Sequence, residues 1–281
     1  MKRTLGSAIL SLVLCGEGGI PAHAIEPSES IFADTMADMP WPEVQRSAKS
    51  GAVVIFPVAV IEEHGPHMDL SPDVYLECFL SRRLREELGR RGIASVIAPP
   101  MYWGISAATM DFPGTFSVKP ATFKAILRDA IENLKNWGYS KVFLSNFHGD
   151  PLHCRTLGEA ASEIRESFGI GVYSLDAIYA EPDHHPKPPL SPPPGKFRPD
   201  IHAGADETAA MARLHPGRVN TTLAASLKPQ GDFRPLGYKG DPAGYAGVHD
   251  AIDLFRYLAE LHAERIEALL RDEGLLPPPV K

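Results

Sequence analysis

Apolar residues fall into two kinds of run along this chain. Unbroken stretches of strand length occur at 52–58 (AVVIFPV), 93–99 (IASVIAP), 141–146 (KVFLSN) and 171–175 (GVYSL), the pattern of strands buried on both faces of a parallel sheet. Between them the spacing is helical. Over 73–91, Leu76, Leu80, Leu84 and Leu88 recur on one side while Arg82, Arg83, Glu86 and Glu87 take the other, and Gly89 and Gly92 mark the end. The segment 119–137 has Pro120 at its start, where a helix needs no N–H, and 152–168 and 249–271 complete the set of long helices. Strand and helix alternate, which predicts an α/β fold: a three-layer α-β-α sandwich with a mostly parallel central sheet. Ligands of such folds bind beyond the C-terminal ends of the strands.

Length and composition add a boundary condition. With 281 residues, 44% hydrophobic and 22% charged, the chain can bury one full core. The segment 181–199 (EPDHHPKPPLSPPPGKFRP) carries eight prolines and cannot be regular helix or central strand. The chain beyond residue 199 is too short for a second sheet, so the proline-rich segment is expected to be a surface excursion within one domain. A formal net charge of −7 excludes a nucleic-acid groove, which needs a basic face.

The N-terminus has the three parts of a secretory leader: the charged MKR, the apolar LGSAILSLVLC, and PAHA with small residues at Ala22 and Ala24. Cleavage is expected after Ala24, leaving a mature domain of residues 25–281 in the periplasm. The apolar run is well short of the ~20 residues that span a bilayer, so no membrane span is expected in the mature chain. Leu14 before Cys15 speaks against a lipid anchor. Cys78 and Cys154 remain after processing; at no metal-binding spacing, they are expected to be small buried apolar residues rather than a disulfide.

Candidate chemistry clusters at two strand ends. IEEHGPHMDLSPD (61–73) comes directly after the first strand, and Glu62 and His64 in it are two apart, so an extended backbone points both to one side. Asp73 begins the next helix, as a cap or as a carboxylate turned back toward an ion. His148 and Asp150 repeat the two-residue spacing after the third strand. Such a mixed nitrogen and oxygen set suits Zn²⁺, Mn²⁺ or Fe²⁺, with carboxylates enough for one ion or a bridged pair. Further on, DIHAGADETAAMARL (200–214) places His202 at a glycine turn and Glu207 in the first turns of a helix, where a carboxylate also complements the helix dipole. Of the neighbours, Glu63 is expected to be a solvated charge, His67 a loop hydrogen-bonder, His184 and His185 exposed, and Tyr102 and Trp103 core.

Taken together, these fragments resemble the creatininase (creatinine amidohydrolase) family. Its Glu-x-His-Gly-x-His with a following aspartate corresponds to Glu62, His64, Gly65, His67 and Asp73. Its Asn-Gly-His segment is similar to SNFHGDP, its Phe-Pro-Gly-Thr to Phe112–Thr115, its His-x-Gly-x-x-Glu-Thr to HAGADET, and its Gly-x-x-Gly-Asp-Pro to GYKGDPAGYA. The resemblance implies Glu62, His64, Asp73 and His148 as metal ligands, Asp73 bridging when two ions are bound. It puts Asp150 where creatininase itself has a glutamate that holds the second ion. It makes His202 the proton shuttle and Glu207 a ligand or an orienting group, and it implies a homo-oligomer, commonly a ring-like hexamer. Departures lie at Phe147, in place of glycine, at Pro151, in place of asparagine, and in GISAATMD, which lacks a histidine that many relatives carry. The implied activity is metal-dependent hydrolysis of a carbon–nitrogen bond in a small amide, cyclic amide or formamide. A peptidase of the same family is the alternative within enzymes. A non-catalytic exported binder of metal or small ligands is the alternative outside them, and it would have no need of His202 with Glu207.

Overall fold

A computed structural model describes residues 30–175 and 200–276; the leader and the proline-rich stretch, with His184 and His185, lie outside the described residues. Four strands, β1 (Val53–Val58), β2 (Ser95–Ile97), β3 (Lys141–Asn146) and β4 (Gly171–Ser174), form one sheet in the order β2-β1-β3-β4. Every pairing is parallel. All six residues of β1 are buried. Val53 and Ile55 face one core, and Val54, Phe56 and Val58 face the other. This two-sided burial is why the strand is continuously apolar instead of alternating.

On the first face lie α2 (Pro72–Arg90), α5 (Ala205–Leu214) and α7 (Ala251–Asp272). The leucine row of α2 is fully buried there with Phe255 and Ile266 of α7, and Arg91 joins the two helices through Glu87 and Glu267, each at 2.9 Å. On the second face, α1 (Trp41–Lys49), α3 (Pro120–Asn136) and α4 (Pro151–Phe168) cover Val142 and Leu144 with Phe123, Leu127, Ile131 and Leu157. The short α6 (Thr221–Ser226) comes after α5.

Several expectations shift in detail. The second strand is three residues long, and α1 and α6 are additional elements. Helix α2 begins at Pro72 with Ser71 as its N-cap, so Asp73 sits inside the first turn and is not the cap. Trp103 is 42% exposed and Tyr102 is only partly buried, so this pair is not core; Trp103 instead lies edge-on to Phe116 on the surface. Cys78 and Cys154 are buried and not joined in a disulfide; their thiols point to the carbonyls of Ile31 and His148 at 3.6 and 3.3 Å. No helix among the described residues is long and apolar enough to cross a membrane.

The register fixes where chemistry can gather. Val58 pairs with Asn146, so β1 and β3 end level with one another. The segments 59–71 and 147–150 therefore leave the sheet side by side, and the long loop 98–119 after β2 joins them from the next strand.

Candidate metal centre

Glu62, His64, Asp73, His148, His202 and Glu207 converge at that sheet end. Three sets of ligand atoms lie within 4.8 Å of one another: Glu62 with His64 and His202; Glu62 with Asp73 and His148; and His64 with Asp73 and Glu207. Asp73 divides its carboxylate between two of these sets. Its Oδ2 lies 2.8 Å from His148 Nδ1 and its Oδ1 lies 3.3 Å from His64 Nε2. Being in the first turn of α2 and 2% exposed, it reaches both imidazoles from a rigid element.

Main-chain groups hold each ring in one orientation. His64 Nδ1–H donates to the carbonyl of Glu62 at 3.2 Å, which leaves Nε2 as the nitrogen that faces Asp73 and Glu207. His148 Nε2–H donates to the carbonyl of Ile105 at 3.0 Å, so Nδ1 faces Glu62 and Asp73. The N–H of the same Ile105 donates to His153 Nδ1 at 3.1 Å, so one residue's main chain is gripped at both ends by histidines. Orientation of a ligand imidazole through its second nitrogen is the usual way a metal site fixes the tautomer.

Charge in this pocket is mutually dependent. Burial opposes protonation of His64, but Asp73, Glu207 and Glu62 outweigh it and push its pKa up to about 10. His148 is also raised despite burial, by Glu62 and Asp73. Burial pushes Glu62 and Asp73 upward, yet the histidines, His148 foremost, hold both carboxyls below their ordinary values. Burial raises Glu207, which keeps its place by accepting the N–H of Ala203 at 2.5 Å. That bond supports a residue with φ of 51°, left-handed backbone that an alanine seldom adopts.

A divalent cation fits this arrangement. His64 Nε2 is completely buried and faces only carboxylate oxygens, Asp73 Oδ1 at 3.3 Å and Glu207 Oε2 at 4.0 Å, with no hydrogen bond of good geometry to either, so a positive charge is called for at this point. Asp73 offers one oxygen to each of two sets, and a nitrogen and oxygen set without thiolate suits zinc or manganese.

Asp150 is not brought into these sets. Its Oδ1 caps α4 by accepting the N–H groups of Leu152 and His153 at 2.8 and 3.2 Å, and its Oδ2 accepts those of Ala107 and Ala108 at 2.8 and 3.3 Å. Four main-chain donors engage the carboxylate, and it ties the 98–119 loop to the helix. Phe147 also points elsewhere, its ring 5.0 Å from Phe255 in the α2/α7 core. His67 reaches beyond its own loop to α5, where Nε2 lies 2.9 Å from Thr208 Oγ1.

Sequence reasoning missed the partners of Glu62 and the fate of Glu63. Ser106 and Thr109 donate to Glu62 Oε2 at 2.6 and 2.5 Å; two hydroxyls three apart in a loop leaving a parallel strand were the available signal. Glu63, expected in solvent, is 6% exposed. Thr115 Oγ1 accepts its N–H, and its Oε2 accepts the N–H of Gly65 at 3.0 Å. The turn at Gly237 (φ 76°) is seated on this carboxylate so closely that a Cβ there would lie 1.8 Å from Oε2. Gly237→Ala is therefore expected to destabilise the protein by more than the roughly 1–2 kcal/mol of left-handed backbone strain alone; urea unfolding with an unchanged midpoint would contradict this.

Comparison with known proteins places this geometry. The family model named Creatininase, described as creatinine amidohydrolase, matches residues 37–252. Creatinine amidohydrolase of Pseudomonas putida is 27% identical over 228 residues, covering 77% of this chain and 84% of that protein. The mycofactocin precursor peptide peptidase of Mycolicibacterium smegmatis is 27% identical over 240 residues, covering 80% and 88%. A crystal structure of creatininase shares the fold at a TM-score of 0.61, with 22% identity over 88% of this chain and 99% of that one; other creatininase structures include a manganese form, a zinc–zinc form of a mutant and a mutant complexed with creatine. These relatives are hydrolases, and with the family model spanning all four strands, helices α1 to α6 and every residue of the metal-competent cluster, the chain belongs to the creatininase family.

Proposed function

We propose that this protein is a metal-dependent hydrolase that cleaves a carbon–nitrogen bond in a small amide, cyclic amide or formamide. The observation that carries the reading is the division of Asp73 between His64 and His148, with His202 beside the same cluster, 3.7 Å from Glu62 Oε1 through Nδ1. Glu62, Asp73 and His148 would hold one ion, and His64, Asp73 and Glu207 a second. Zinc or manganese, as in the creatininase structures, would supply Lewis-acid polarisation of the amide carbonyl and a water acidified toward neutral pH.

The chain's own residues do the rest. Ser106 and Thr109 fix Glu62 so that its other oxygen stays aimed at His148. His202 donates its Nε2–H to the carbonyl of Glu63 at 2.8 Å, which leaves Nδ1 to exchange a proton with the leaving nitrogen. Glu207 secures the turn from which His202 projects. Cleavage of a peptide is the second reading, favoured by the M. smegmatis peptidase being as similar as the creatinine amidohydrolase. A screen of the zinc- and manganese-loaded mature protein against cyclic amides, N-formyl compounds and short peptides tests both, and turnover of none of them would overturn the hydrolase reading. Export after Ala24 and self-association belong to the same proposal; the exposed indoles of Trp41 and Trp137, 74% and 52% accessible, support the latter.

A pH dependence arises from His64. Its pKa is raised from 6.5 to about 10 in the metal-free protein, so the bound proton stabilises that form fully below 6.5 and progressively less as pH climbs to about 10. Metal must displace this proton. Zinc affinity is expected to rise with pH through that window, with proton release in calorimetry across buffers of different ionisation enthalpy; a flat affinity without proton release would contradict it.

A further inference from the structure

We infer that Glu63 is a positioning residue for His202, holding the Nε2 side of the ring so that Nδ1 faces the metal-competent cluster. The inference rests on the proposed role of His202. His202 Nε2 is 2.8 Å from the Glu63 carbonyl and 3.4 Å from Glu63 Oε1. Both acceptors therefore belong to one residue. Oε1 is buried and has no other hydrogen-bonding partner among the described residues, a costly state for a carboxylate oxygen unless a neighbour uses it.

The ring planes around His202 explain why this matters. His64 and Phe233 lie 4.4 and 5.4 Å from it, centroid to centroid. Such neighbours set the tilt of the imidazole but do not distinguish it from the same ring flipped about its bond to Cβ. A flip exchanges Nε2 with a carbon and would leave both Glu63 oxygens facing C–H. The choice between the two orientations is thus made by Glu63. Its carbonyl is kept in place by the main-chain N–H bond to Thr115 Oγ1 and by the carboxylate, whose Oε2 accepts the N–H of Gly65, so the carboxylate acts twice, as a second acceptor and as part of the anchor of the first. Glutamine can preserve one of these duties, because one oxygen can still accept from Gly65 while the amide NH₂ then meets the imidazole N–H. Alanine preserves neither.

The test uses mature Glu63→Ala, Glu63→Gln and wild-type proteins, with ¹⁵N-labelled histidine and the His202 signals assigned by their loss in His202→Ala. Long-range ¹H–¹⁵N spectra of the metal-free proteins at alkaline pH read the tautomer; kcat, KM and zinc content are measured on loaded samples. Wild type is expected to show Nε2–H alone, Glu63→Ala a mixture with Nδ1–H, and Glu63→Gln an intermediate. In parallel kcat falls roughly 10–100-fold in Glu63→Ala, the usual span for a group that orients another, and partly recovers in Glu63→Gln, while KM and zinc content hold. A single Nε2–H tautomer in Glu63→Ala overturns the inference whatever happens to kcat. Should that variant not fold, Glu63→Gln decides by the same signal. Absence of turnover in the wild type would sink the hydrolase reading and leave the tautomer result to judge Glu63.

Discussion

Asp73→Asn protein is expected to purify folded, to bind neither ion and to lack turnover. The side chain is 2% exposed and its two oxygens lie 2.8 Å from His148 Nδ1 and 3.3 Å from His64 Nε2. An amide of the same shape keeps one acceptor but loses the charge shared by the two proposed ion sites, so both fail together. Loss of an outer group alone typically costs 10–100-fold in metal affinity, and removing a shared ligand is expected to cost at least roughly 100-fold. The fold survives because the leucine row of α2 is untouched and the two histidines can return to the neutral state. Differential scanning fluorimetry reads the result: zinc at 100 times the wild-type Kd stabilises the wild type by about 2.7 kcal/mol, whereas the variant gains no more than about 0.4 kcal/mol. Full metal stoichiometry with normal turnover in Asp73→Asn would remove this residue from the site.

His202→Ala is expected to separate chemistry from metal binding. The ring donates to a carbonyl through Nε2 and approaches Glu62 Oε1 no closer than 3.7 Å through Nδ1, so metal content stays at wild type. Turnover falls by roughly 10²–10⁴-fold, the span of a general acid or base. Metal analysis and turnover on one preparation decide the matter. Loss of metal would make His202 a ligand, a role open to it through the Glu62, His64, His202 set. Unchanged turnover would pass the proton to Glu207 or to water.

Much of this site was legible because parallel strands write their burial into the sequence. Glu62 and His64 come just after the run that became β1, and His148 just after β3; once two strands are paired level, residues beyond their ends must meet. The hidden part depended on contacts across the chain. Glu63 reads as one more charge in a polar turn, and its burial comes from Gly237, far along the sequence. Asp150 shares the spacing of a ligand with its capping role, and only the arrival of Ala107 and Ala108 separates the two. Helix α1 escaped notice because only Ala48 of it is buried, so it carries little of the apolar periodicity that marks α2.

The main chain at Ile105 has a consequence for how this protein can change. Its carbonyl and N–H clasp His148 and His153, and both groups are common to nearly every amino acid. Selection at codon 105 therefore acts on backbone path and side-chain volume while the hold on His148, a proposed metal ligand, stays constant. Proline alone is barred outright, since it lacks the N–H. A transplanted loop after β2 must return a main-chain amide to the same point between the two histidines, and must also bring back the hydroxyls of Ser106, Thr109 and Thr115 that hold Glu62 and Glu63.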